Sequence, residues 1–146
     1  MDVQRLLEAE DDGWKTLVDA LAHIPDDRFE EPTLTPEGWS AKDAMFHVAY
    51  WLDDCARVLQ AIGAGTFDAT AENALDTQSI NDEGFRRSRG MEAATVRSAL
   101  SAARTQARAA FDGLDVVSPE AWEWFEESGP LHYRAHIDDL DAWLQG

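Results

Sequence analysis

The sequence is poor in cysteine and in positive charge. Cys55 is the one cysteine in 146 residues, so an intrachain disulfide and a cysteine-rich zinc module are both excluded. Lys and Arg number 12 against 29 Asp and Glu, which gives a formal net charge of −17. A surface of that sign repels phosphate backbones and anionic lipid headgroups. We therefore expect no nucleic-acid partner and no membrane partner.

Long apolar runs are also missing. The apolar stretch from Ala44 to Trp51 is interrupted by His47 and followed by Asp53, so it falls short of the ~18–20 residues that a membrane span needs. The first ten residues include three acidic side chains, where a signal peptide needs a basic start and an apolar run. We expect a cytoplasmic protein, in agreement with the lone cysteine. Its length and its 45% hydrophobic content predict one domain over residues 1–146.

Strand patterns are nearly absent. No segment alternates apolar and polar residues over five or more positions, whereas apolar residues recur at intervals of three and four. The prediction is an all-α chain in a four-helix-bundle architecture. Long helices are predicted over 2–23, 40–62, 92–111 and 131–144, with a short helix over 120–127, one or two helical turns within 78–89, and loops over 25–39 and 66–77.

The histidines carry the strongest chemical signal. His132 and His136 are four residues apart in a predicted helix, so both imidazoles leave the same face and can chelate one metal ion. Both border the apolar face of that helix, and His47 borders the apolar face of the second long helix. Neutral imidazole suits Zn, Ni, Fe or Mn. The alternative is that each is a boundary residue of the core, and His23 is interpreted as a helix cap.

Two carboxylates could support such a site. Asp43 lies one turn before His47, and Asp139 lies three residues after His136, so either could orient an imidazole or become a fourth ligand. The competing interpretations are helix capping for Asp43, which is placed toward solvent, and a solvated face for Asp139.

Four further residues have weaker signals. Asn81 and Arg86 could line the mouth of the site and hold a substrate carboxylate, although surface roles fit them as well. Tyr133 lies on the inward face of the last helix and is interpreted as a packing residue. Cys55 falls within an apolar stripe and is interpreted as a small buried hydrophobe rather than a nucleophile.

Two segments resemble a known superfamily. Residues 36–51, PEGWSAKDAMFHVAYW, resemble the Gly-Trp-Ser, Asp, His signature of the DinB/YfiT-like superfamily, and residues 132–140, HYRAHIDDL, resemble its closing helix. The chain is also similar to the colibactin-protection protein branch and to mycothiol-dependent maleylpyruvate isomerase N-terminal domains. The resemblance implies an up-down-down-up four-helix bundle. It also implies one divalent metal ion held by His47, His132 and His136.

The resemblance leaves several functions open. Characterised relatives include thiol S-transferases that use bacillithiol or mycothiol, a thiol-dependent isomerase and a resistance hydrolase. The leading hypothesis is a metal-dependent enzyme that activates a low-molecular-weight thiol, or water, for attack on a small electrophile. The alternatives are a related hydrolase, a metal-free bundle that sequesters a small molecule, and a homodimer module built on apolar helix faces. Catalytic residues beyond the metal ligands are not assigned.

Overall fold

A computed structural model describes residues 2–146, and α-helix is the only regular secondary structure in that range. The all-α prediction is therefore confirmed. No helix among these residues is both long enough and apolar enough to cross a membrane. The helices are α1 (Val3–Ala22), α2 (Asp26–Phe29), α3 (Ala41–Ala64), α4 (Ala69–Asn73), α5 (Thr77–Arg89), α6 (Ala93–Asp112), α7 (Pro119–Ser128) and α8 (Pro130–Gln145).

The four longest helices, α1, α3, α6 and α8, begin and end within two residues of their predicted limits. Their ends follow from local chemistry. The side chain of Ser40 accepts a hydrogen bond from the backbone of Asp43, and the Asp43 side chain accepts one from the backbone of Ser40, which is a complete capping box. At the other end of α3, Gly65 has a φ of 74°, a left-handed conformation that favours glycine.

The predicted loops are partly helical, which corrects the prediction from periodicity. The short helices α2 and α4 lie within the segments 25–39 and 66–77, and α5 has 13 residues rather than one or two turns. The side chains of Asp68 and Asp76 cap α4 and α5 by accepting hydrogen bonds from backbone amides of the first turn. Because α4 and α5 are mostly polar, their caps, and for α5 the packing against α3, define them better than an apolar repeat does.

The core is organised around α3. This helix packs against α6 along its length and also contacts α5, α7 and α8, while α1 packs against α8. Buried alanines at positions 103 and 107 of α6 let its backbone approach α3 closely. A second, smaller apolar cluster lies between α1, α3, α6 and α7, and it contains Leu6, Cys55, Leu59, Phe111, Ala121 and Phe125.

A buried charged network also joins three helices. Glu10 of α1 is 1% exposed, and its carboxylate accepts hydrogen bonds from Arg104 and Arg108 of α6. The hydroxyl of Tyr133 on α8 donates to the same carboxylate at 2.9 Å. Tyr133 is completely buried, as its predicted packing role requires, but its hydroxyl has this polar role as well. The network ties α1, α6 and α8 together through a single side chain.

Cys55 is completely buried, in agreement with its interpretation as a small hydrophobe. Burial raises the pKa of its thiol to about 12, so the thiol stays protonated at pH 8. Since the thiolate is the reactive form, we expect native protein to resist iodoacetamide at pH 8 and denatured protein to react completely. Mass spectrometry of both samples measures this difference. Equal labelling rates would contradict the burial.

Candidate metal centre

Three histidines from two helices converge on one point. His47 lies in the second turn of α3, and His132 and His136 lie one turn apart on α8. The Nε2 atom of His132 is 3.1 Å from Nε2 of His47 and 3.0 Å from Nε2 of His136. One potential ligand atom from each of the three residues lies within 4.8 Å of the others. The structure thus brings together all three candidate ligands found in the sequence.

The position of His47 follows from the start of α3. The capping box fixes the first turn of this helix, and His47 is one turn beyond the capping residue Asp43. The ring of Trp39, just before the cap, meets the His47 ring edge-on at a centroid distance of 5.4 Å. Trp39 in turn stacks on Phe85 of α5 at 5.5 Å. The imidazole is therefore held between its own helix and an aromatic wall.

Polar groups lie beside two of the rings. Against the larger effect of burial, the side chain of Asn81 raises the pKa of His47, and its Oδ1 accepts a hydrogen bond from the indole of Trp51 at 2.9 Å. The backbone of Ser128 raises the pKa of His132 in the same way. Partners of this kind fix the orientation of metal-binding imidazoles. Asn81, considered above for the mouth of the site, thus lies beside a candidate ligand.

Burial keeps the three imidazoles neutral. Desolvation lowers the pKa of His47 to about 4 and that of His132 to about 4, with the charge of His47 contributing to the latter shift. Desolvation lowers the pKa of His136 to about 3, and the neighbouring histidines add to this effect. At neutral pH each ring therefore has an unprotonated nitrogen, which is the form that binds metal ions.

The donor set fits a divalent ion. Two nitrogens that each lie ~2.0–2.1 Å from a tetrahedral ion are about 3.3 Å apart, close to the spacing of the Nε2 atoms. The imidazoles cannot satisfy one another, because a neutral Nε2 either donates or accepts a single hydrogen bond. His132 Nε2 has two such neighbours, so only one of its two contacts can be a hydrogen bond. A cation at the centre would use all three lone pairs.

A cavity of about 590 Å³ opens beside this cluster. His47 and His132 line it, whereas His136 is not among the lining residues. The walls come from α3, α5, α7, α8 and the region around α4. The other lining residues are Trp51, Phe67, Ala69, Asn73, Thr77, Asn81, Glu120, Glu123, Trp124, Glu127 and Ser128. A volume of this size suits a small organic molecule.

Both candidate carboxylates lie outside the cluster. Asp43 is 3% exposed rather than directed to solvent, because Ser88 of α5 covers it and donates a hydrogen bond to its carboxylate. Its hydrogen-bond partners are Ser40 and Ser88, which supports the capping interpretation. Asp139 is exposed on α8, in agreement with a solvated face.

Arg86 and His23, the remaining candidates, are exposed on the surface. Arg86 is exposed and pairs with Glu83 of its own helix, away from the cavity lining. His23 is exposed at the C-terminal cap of α1, where its ring contacts the carbonyl of Asp19 at 2.7 Å. That position supports its interpretation as a cap.

The acidic and aromatic residues of the cavity lining were not predicted from the sequence. Glu120, Glu123 and Glu127 occur at intervals of three and four in the predicted helix over 120–127, so their common face could have been found. Trp124 lies on the same face. The sequence could not indicate that this face of α7, whose glutamates are exposed to solvent, lines the same cavity as the histidines.

Comparisons with known proteins give one match. The family model described as the mycothiol maleylpyruvate isomerase N-terminal domain matches residues 11–140. The matched region contains all three histidines of the cluster and every residue that lines the cavity. No curated protein and no solved structure matches the chain significantly.

Proposed function

Because the chain belongs to the mycothiol maleylpyruvate isomerase N-terminal domain family, a family with a DinB-like fold, we propose that it is a metal-dependent enzyme. In this proposal His47, His132 and His136 bind one divalent ion of Zn, Ni, Fe or Mn. The observation that carries it is the convergence of three imidazoles beside a cavity, with Nε2 of His132 lying 3.0–3.1 Å from Nε2 of His47 and of His136.

In the proposed reaction a thiol, or water in a hydrolytic variant, loses its proton and forms a C–S or C–O bond to a small electrophile. The bond from that carbon to a leaving group breaks, and the leaving group takes the electron pair and a proton. A divalent ion held by His47, His132 and His136 would have coordination positions left for a thiol or water and would lower the pKa of that group toward ~7. Thiol transfer is the preferred chemistry, with a low-molecular-weight thiol as co-substrate, since the family description names mycothiol.

The chain's own residues supply positioning and exclusion of water. The side chain of Asn81 and the edge-on ring of Trp39 flank His47 and favour the orientation in which its Nε2 faces the other two rings. The indoles of Trp51 and Trp124 give an organic electrophile apolar surface next to the histidines. Displacing water from that surface strengthens electrostatic interactions at the reacting atoms.

The arrangement of the four long helices is part of the same proposal. We propose that α1, α3, α6 and α8 form an up-down-down-up four-helix bundle, with α1 packed on α8 and α3 packed on α6 in support of it. A cytoplasmic location and a homodimer are further proposals that accompany this assignment.

The first test is the metal content of protein purified without a histidine tag. We expect near-stoichiometric Zn, Ni, Fe or Mn by elemental analysis, and thiol consumption with mycothiol and an electrophile that falls after chelation and returns with metal. Circular dichroism before and after chelation controls for unfolding. Trace metal after incubation with excess ions would contradict the proposal and favour the metal-free sequestration bundle.

A further inference from the structure

The cavity beside the three histidines is negatively charged on one wall. Glu120, Glu123 and Glu127 all line it from the same face of α7. Within residues 2–146 none of these three carboxylates has a salt-bridge partner, and no Lys or Arg lines the cavity. The nearby cation Arg57 is held by Asp54 and Glu72 instead. The charge of this wall is therefore available to a ligand.

Aromatic rings on the other side chains of the lining favour the same kind of ligand. Trp51, Phe67 and Trp124 line the same cavity, and the rings of Phe67 and Trp124 meet edge-on at 6.3 Å. Aromatic faces attract cations, and tryptophan does so most strongly. Carboxylates with aromatic rings and no basic residue form the surroundings in which proteins bind ammonium groups.

The evidence for a binding site here does not rest on the carboxylates alone. The cavity is also lined by His47 and His132, and its volume of about 590 Å³ suits a small organic molecule. The three glutamates determine which charge such a molecule can carry there, because an anion would lie against like charges in a protein of net charge −17.

We propose that this cavity binds a cationic small molecule, with a protonated or quaternary amine joined to an apolar body. The proposal rests on the function proposed above in one respect: the bound molecule would be the electrophile that the thiol or water attacks. The ammonium group lies toward the glutamates of α7, and the apolar body lies against Trp51 and Trp124. A dicarboxylate is disfavoured.

The test uses three probes that differ in charge. They are (3-phenylpropyl)trimethylammonium, the neutral 3-phenylpropanol and the anion 3-phenylpropanesulfonate, and neither charged group is a strong metal ligand. Calorimetric titration of the purified protein should show the ammonium binding at least tenfold more tightly than the sulfonate, with the alcohol between them. The preference should shrink as salt is added.

A matched pair of variants assigns the preference to the cavity. The triple variant Glu120→Gln, Glu123→Gln, Glu127→Gln should lose most of the tenfold preference. The control variant Glu8→Gln, Glu37→Gln, Glu126→Gln changes net charge equally but outside the cavity lining, so it should keep the preference. Circular dichroism should show both variants folded.

Three outcomes would overturn the proposal: the sulfonate binding as tightly as the ammonium, no probe binding at millimolar concentration, or both triple variants behaving alike. Metal content separates this proposal from the proposed function. The cavity variant should keep the metal content of the parent, whereas a protein without metal that still prefers the ammonium would contradict the metalloenzyme and retain the cationic ligand.

Discussion

Replacing His136 by alanine is expected to weaken metal binding by about 100-fold or more, since loss of an outer-shell partner alone costs 10–100-fold. The variant keeps only the imidazoles of His47 and His132, which leaves two protein ligands where an open site needs three. The measurements are elemental analysis of the purified variant and titration with zinc against a competing chelator at pH 7.

The matched control is His23→Ala. It also removes one histidine, but His23 is exposed at the end of α1, outside the cluster. Its metal content should equal that of the parent, while circular dichroism should show both variants as helical as the parent. If His136→Ala keeps stoichiometric metal, the three histidines do not form the site. If His23→Ala loses metal equally, the loss reflects general binding to surface imidazoles.

The long helices were predictable because their signals are local. Apolar residues at intervals of three and four define the buried face of each helix, and Ser40 with Asp43 marks the start of α3 within the sequence itself. The histidine cluster could be predicted from the same helical periodicity. Two histidines one turn apart share a face, and their place at the edge of the apolar stripe predicts that they meet a neighbouring helix.

Other features depend on contacts between distant segments. Nothing local to α5 shows that it packs on α3 and brings Asn81 to His47, 34 positions earlier. Glu10 lies four residues after Leu6 and four before Trp14, so a charged residue interrupts an apolar stripe, which is a visible signal. Its arginine partners are 94 and 98 positions away and could not be identified from that signal.

The buried carboxylate of Glu10 carries the largest expected effect on stability. Glu10→Ala should lower the free energy of unfolding by about 3–5 kcal/mol, the range for breaking a buried ion pair by removing one partner. The substitution leaves the Tyr133 hydroxyl, completely buried, without its acceptor. We expect the lower end of the range, because Arg104 and Arg108 are each 22% exposed and both also pair with Asp11.

Two further single variants and one double variant apportion this effect. Tyr133→Phe removes only the hydroxyl and should cost about 1 kcal/mol, the net contribution of one hydrogen bond. Glu8→Ala, an exposed change on the same helix, should stay within about 0.5 kcal/mol of the parent. Urea unfolding followed by circular dichroism gives all three values. If Glu10→Ala is no more destabilising than Glu8→Ala, the network does not hold α1, α6 and α8 together. A Glu10→Ala, Tyr133→Phe double variant should cost less than the sum of the single variants, because both changes remove the same hydrogen bond.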